Sequence, residues 1–132
     1  MAIRVKHKVR VHTFRDTDEE NPYYKPSDTG AEEILDSFDK QCASNLKVLQ
    51  NTSESLNFGD VDVVKGIYLE VNVEAKLKLN GSTDEIQLRK GSTLSTAKAK
   101  FFLEGDISSV EVVAPTTEDV VGEFVVWGDP TA

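Results

Sequence analysis

The sequence has little of what small secreted, metal-binding or membrane-spanning proteins depend on. Among its 132 residues there is one cysteine, Cys42, with one methionine and one tryptophan. A single cysteine excludes an internal disulfide and any zinc site built from cysteines. No apolar run approaches the roughly 20 residues of a membrane helix, so no membrane contact is expected. Residues 1–8 contain three cations and lack the apolar stretch of a secretory signal.

Sequence patterns of catalysis and cofactor binding are also missing. There is no Gly-x-Ser-x-Gly elbow, and Gly91-Ser92-Thr93 lacks the lysine and the spacing of a phosphate loop. His7 and His12 lie an odd number of residues apart, which puts them on opposite faces of a strand. Two acidic segments, 16–20 and 60–62, do not match the calcium-binding loop pattern, and solvated surface charge is their simpler interpretation. We therefore predict that the protein is not an enzyme and has no metal or cofactor.

Charge is divided unevenly along the chain. Residues 1–15 carry five Lys or Arg and no acid, whereas residues 16–132 carry ten Lys or Arg against 23 Asp or Glu. An acidic body repels phosphate backbones, so nucleic acid is not an expected partner. The basic segment, in contrast, is suited to docking on an acidic protein surface, including that of a second copy.

Residues 3–14 alternate strictly between two kinds of side chain, which predicts a strand with one buried face. The other face carries a row of cations. Such a row protects a sheet edge against stray pairing, forms a docking surface for protein, or contacts nucleic acid. On the docking interpretation, the candidate interaction residues are Arg4, Lys6, Lys8 and Arg10.

The next two segments break this pattern. Residues 16–30 are rich in acids and turn formers, which predicts a long exposed acidic loop. Tyr23 and Tyr24 are its only large apolar residues and become candidate contacts for protein or sugar. Residues 31–43 place Ile34, Leu35, Phe38 and Cys42 on one stripe, which predicts a short helix with Cys42 buried.

From Leu46 onward the pattern is β, with turn signals every 8–12 residues or so. We expect a bend near Asn72–Glu74, a hairpin turn at Asn80-Gly81, and a central strand over Val120–Trp127 that is apolar on both faces. The fold class is therefore mostly β: a single antiparallel β-sandwich, jelly-roll or Ig-like, with one short helix at 31–43 and one domain over 1–132. The predicted core consists of Leu69, Val71, Leu77, Leu79, Phe101, Leu103, Val112, Phe124 and Val126.

Several short segments between residues 56 and 129 together resemble small β-sandwich virion proteins of tailed bacteriophages. The segments that carry the resemblance are Phe58-Gly59-Asp60, Gly66-Ile67-Tyr68-Leu69, Leu77-Lys78-Leu79-Asn80-Gly81, Phe101-Phe102-Leu103-Glu104-Gly105-Asp106-Ile107 and Val125-Val126-Trp127-Gly128-Asp129.

The resemblance implies a non-enzymatic virion structural protein that decorates a capsid or forms part of a tail or fibre. It implies assembly in the host cytoplasm, a homo-oligomer, and other virion proteins as partners. The alternative is a carbohydrate-binding or receptor-binding β-sandwich module. Such a module is expected to present two or more coplanar exposed aromatic rings on one sheet face, whereas an assembly protein buries such features at protein contacts.

Overall fold

The structure, a computed structural model, describes residues 3–8, 13–15, 18–24, 32–91 and 96–130. The chain divides into two compact units. The N-terminal unit is Ala2–Ser37, and the sheet unit is Phe38–Ala132 together with Met1. Each unit is described by itself below.

The N-terminal unit is built from β1 (Ile3–Lys8), β2 (Thr13–Arg15), β3 (Asp18–Tyr24) and β4 (Glu32–Phe38). β1 pairs with β4, and β2 pairs antiparallel with β3. Arg4 and Lys6 are exposed while Val5 and His7 are half-buried. This confirms the predicted alternation over the part of the strand whose side chains are described. Residues 9–12 of that strand lie outside the described residues.

The segment expected to be a long acidic loop contains β3. Its seven residues include Pro22, which lies opposite Phe14 of β2, and the register shifts on either side of that pair. Proline lacks a backbone N–H, so it is tolerated where a strand has an unpaired edge, as each strand of a two-stranded sheet does. Pairing with β2 therefore overrides the local turn preference of this segment.

The helix predicted over residues 31–43 is wrong, because β4 and β5 (Lys40–Val48) occupy its described part. Ile34, Phe38 and Cys42 are four residues apart, a spacing that fits one face of a helix and one face of a strand equally well. The sequence after Cys42 decides between them, since Leu46 and Val48 are buried while their neighbours are exposed. The period is two, and β5 pairs with a neighbour over its whole length.

The sheet unit contains two antiparallel four-stranded sheets. Its remaining strands are β6 (Ser53–Ser55), β7 (Val63–Val71), β8 (Lys76–Leu79), β9 (Ile86–Gln87), β10 (Ala99–Ile107), β11 (Val110–Val113) and β12 (Val120–Asp129). The first sheet has the order β10-β7-β12-β5 and the second the order β6-β11-β8-β9. β12 thus lies inside its sheet, as its apolar sequence predicted.

One hydrophobic cluster draws side chains from both sheets. Leu69, Val71 and Val126 of the first sheet and Leu77 and Val112 of the second are fully buried. Phe124 is also buried, which confirms six of the nine predicted core residues. The other three, Leu79, Phe101 and Leu103, are half-buried and pack against the cluster.

Two asparagines form the turns that the sequence predicted. Between β7 and β8, the Asn72 backbone N–H donates to Val121 O at 3.0 Å and its side-chain Oδ1 accepts from Val121 N at 2.8 Å. After β8, Asn80 (φ 55°) and Gly81 (φ 74°) form a turn with two left-handed residues. Asn80 Oδ1 also accepts from Ser108 N at 2.7 Å, which ties this turn to the one between β10 and β11.

Replacing a leucine in the shared core should destabilise the protein strongly. Leu69→Ala removes a fully buried side chain, and we expect a loss of about 2–5 kcal/mol from lost burial and the residual cavity. Leu49→Ala makes the same substitution where the side chain is 56% exposed and should cost less than about 0.5 kcal/mol. Urea unfolding checks both, and equal losses would contradict the described core.

Candidate functional site

The first sheet has a second face, opposite to the core, that is unusually apolar at its centre. We call it the outer face. Four side chains from four strands form a row across it, because the register pairs Phe102 with Tyr68, Tyr68 with Val125, and Val125 with Ala43. Phe102, Tyr68 and Val125 are half-buried and Ala43 is exposed. A solvated face usually places polar side chains at such positions.

Two carboxylates lie beside this row. Glu70 of β7 and Glu123 of β12 are direct cross-strand neighbours, an arrangement in which like charges repel. The Tyr68 hydroxyl donates a hydrogen bond to Glu70 Oε2 at 2.9 Å. Among the described residues, neither carboxylate has a cation within ion-pair distance. The register also places Lys100 of β10 opposite Glu70, and Lys47 of β5 on the same face. These two acids and two lysines therefore share the outer face, and none of them forms an ion pair among the described residues.

The pKa of the Tyr68 phenol is raised by its surroundings on this face. Burial is the main cause that raises its pKa, followed by the hydrogen bond to Glu70 and the negative charges of Glu70 and Glu123. Together they raise the pKa of Tyr68 from 10.0 to about 12. The phenol stays protonated at neutral pH and keeps donating to Glu70.

A shallow depression of about 400 Å³ opens on the outer face at the end of the row. Tyr68 and Val125 form its apolar side, Glu123 and Asn45 supply polar atoms, and Ala43 of β5 is the smallest side chain on its rim. The depression can accommodate a side chain that has both an apolar stem and a positive charge, since aromatic faces and carboxylates both attract cations.

Trp127 lies on the same face and is only 3% exposed. Its ring packs over the backbone of its cross-strand partner Gly66 and is not part of the shared core cluster. Phe102 flanks it, with the ring centroids 6.0 Å apart and the planes tilted by 36°. The indole Nε1 has no acceptor among the described residues.

The residues singled out from the sequence lie elsewhere. Arg4 and Lys6 are exposed on β1, and the backbone of Lys8 ends that strand. Arg10 lies outside the described residues. Tyr23 and Tyr24 are in β3, where Tyr24 is opposite Thr13, and their side chains are not described. The structure places the three described cations and the two tyrosines on different strands of the N-terminal unit.

Sequence reasoning did not identify the outer face, although alternation along residues 67–71 puts Tyr68 and Glu70 on the side opposite to Leu69. The signal was present in β12, whose residues are apolar at Val125 and Trp127 as well as at the core positions. That pattern indicates a central strand, but it does not say which neighbours complete a surface. Phe102 and Ala43 become relevant only because the register brings them into line with Tyr68.

The two acidic segments give no described metal site. Asp60 and Asp62 are exposed, and no three metal-binding side chains among the described residues are placed to hold an ion. The side chains of 16–20 are not described. The described chain also contains no helix that is long and apolar enough to cross a membrane.

Comparison with protein-family models, with curated proteins and with solved structures found no match for this chain. The outer face is therefore interpreted from its own chemistry.

Removing the Tyr68 hydroxyl should change how stability depends on alkaline pH. A phenol whose pKa is higher in the folded than in the unfolded chain stabilises the fold fully below pH 10.0 and loses this contribution as pH rises toward about 12. Tyr68→Phe should therefore lose less stability over that range than the wild type, as measured by urea unfolding. Tyr24→Phe controls for the number of phenols, and identical profiles for Tyr68→Phe and wild type would contradict the described environment.

Adding a methyl group at Gly66 should displace the indole of Trp127. An alanine Cβ there would overlap the ring atoms of Trp127, so we expect a loss of about 1–3 kcal/mol from overpacking. Because Trp127 is the sole tryptophan, its fluorescence should shift to longer wavelength as the ring meets water. Gly105→Ala is the control, since a Cβ there meets nothing within 4 Å. An unchanged emission spectrum in Gly66→Ala would contradict the packing.

Proposed function

We propose that the protein is a non-enzymatic virion structural protein that forms a homo-oligomer and attaches to other proteins of a phage capsid, tail or fibre. We also propose that the sheet unit is a β-sandwich of jelly-roll or Ig-like type. The sandwich is supported by the one cluster that receives side chains from both sheets. The virion role is supported by the resemblance of segments between residues 56 and 129 to small phage β-sandwich proteins.

The observation that carries the assembly role is the apolar row on the outer face. Phe102, Tyr68 and Val125 cover the centre of a sheet on the side away from its core. Apolar side chains that lie together on a surface are typical of protein contacts. The flanking carboxylates, Glu70 and Glu123, and the lysines beside them give the contact a specific charge pattern.

The charge distribution supports assembly between copies. The basic segment 1–15 and the acidic remainder of formal charge −13 belong to one chain, so every copy carries both members of a complementary pair. Contacts between unlike patches are heterologous, and they close into a ring when the rotation between copies permits it. A proposed homo-oligomer of this kind would be sensitive to salt.

Removing the basic row tests the assembly role. The variant replaces Arg4, Lys6, Lys8 and Arg10 with serine, and we expect its oligomers to dissociate at salt concentrations where the wild type remains assembled. A matched variant loses the same charge at four exposed cations of the sheet unit, namely Lys76, Arg89, Lys90 and Lys98. Sedimentation velocity at low and moderate salt measures both.

Incorporation into phage particles tests the virion role. Both variants are supplied during infection, and we expect the serine variant alone to be lost from purified particles. A wild-type protein that sediments as a monomer at every concentration and is absent from particles would contradict the proposal.

The second candidate is a carbohydrate-binding or receptor-binding module. It is favoured by Tyr68 beside Glu123 and Asn45 in the depression of the outer face, because sugars bind aromatic faces edged by hydrogen-bonding groups. Against it, the Phe102 and Trp127 rings are tilted by 36° and Trp127 is buried. Glycan binding that is lost in Tyr68→Ala but kept in Phe101→Ala would favour this function.

A further inference from the structure

We propose that the edge of β5 opposite to β12, which is unpaired in the described chain, is the acceptor site for β1 of a second copy, which adds to the first sheet as a fifth strand. This inference rests on the proposed homo-oligomer and names the two strands that join it. The strand that binds this edge comes from an identical chain. The side chains on the two faces of β1 and on the two sides of β5 support this choice.

β5 is a long strand that pairs along only one edge in the described chain. It pairs with β12 over nine residues, from Lys40, which is opposite Gly128, to Val48, which is opposite Val120. It is the last strand of its sheet in the described chain. It contains no proline, and none of its described pairings shows a shifted register. Such an edge presents backbone N–H and C=O groups to any strand that can lie beside it.

Residues of β5 line two depressions, one on each side of the sheet. The first is the depression on the outer face with Tyr68 and Glu123. The second, of about 310 Å³, lies on the core side between β5 and β6 and is lined by Leu46, Leu56 and Phe124, with Glu54 on its rim. A strand that adds to β5 therefore meets a carboxylate on each side of the sheet, together with Tyr68 on the outer side and two leucines and a phenylalanine on the core side.

β1 has the matching alternation. Arg4 and Lys6 are exposed on one face, and Val5 and His7 are half-buried on the other. Successive side chains of a strand point to opposite faces of a sheet, so a β1 added to β5 sends its cations to one depression and its less polar residues to the other. Arg4 then extends over the small Ala43 toward Glu123 of β12.

β1 also has one edge that is unpaired in the described chain. In the described chain it has one neighbour, β4, in a two-stranded sheet, and β1 and β5 belong to different sheets. The pairing therefore joins one chain to the next without breaking a described strand pair. Glu123, which forms no ion pair among the described residues, attracts Arg4 on the outer side, and the leucines of the core-side depression suit Val5.

Disulfide trapping in the full-length protein tests this pairing, because Cys42 is the only cysteine and lies half-buried on the core-side face of β5. Val5→Cys and His7→Cys put a second thiol on the face of β1 that should meet Cys42. Arg4→Cys and Lys6→Cys are matched controls with the thiol on the opposite face. Diamide is the oxidant and accepts the two electrons and two protons released as the S–S bond forms.

We expect covalent dimers and larger species on non-reducing gels from Val5→Cys or His7→Cys, and largely uncross-linked chains from the two controls. Circular dichroism and melting temperature confirm that each variant is folded. Cross-linking with the opposite parity, cross-linking only within one chain, or no cross-linking in any variant would overturn the inference. If the wild type still sediments as an oligomer in those cases, the proposed assembly stands and only its strand pairing is wrong.

Discussion

The pairing of β12 with a strand on each of its edges is the constraint on which the sheet unit depends. β12 pairs with β7 on one side and with β5 on the other, in antiparallel register along most of its length. This double pairing fixes which side chains of three strands share a face. Val120, Phe124 and Val126 enter the core, so Val125 and Trp127 must lie on the outer face.

The outer face follows from that register. Trp127 comes opposite Gly66, where the missing Cβ lets the indole lie on the backbone, and Val125 comes between Tyr68 and Ala43. A shift of one residue would bring the core side chains to the surface and destroy both arrangements. The same register therefore specifies the hydrophobic core and the surface that we assign to assembly.

The sequence predicted the parts of this structure that depend on local pattern. Alternation identified β1, the interruption of β7 and β8 near Asn72, the Asn80-Gly81 turn and the central position of β12. It failed where one spacing fits two structures, as in the segment from Ile34 to Cys42, and where strand pairing overrides turn preference, as in β3.

The candidate site could be predicted only in fragments. The cations of β1 and the outward position of Tyr68 were visible in the sequence, because each belongs to the alternation of a single strand. The row from Phe102 to Ala43 and the opposed Glu70 and Glu123 were not, because they are formed by residues far apart in sequence that only the register aligns. Local patterns carry no information on register between distant strands.

Hydrogen exchange measured strand by strand, in the oligomer and in the dissociated chain, tests the central claim most directly. If β5 is the acceptor edge, the amides of Lys40–Val48 should exchange more slowly in the oligomer. The amides of β9, Ile86–Gln87, which is the edge strand of the other sheet, should exchange at the same rate in both. Equal exchange of β5 in the two states would contradict the account.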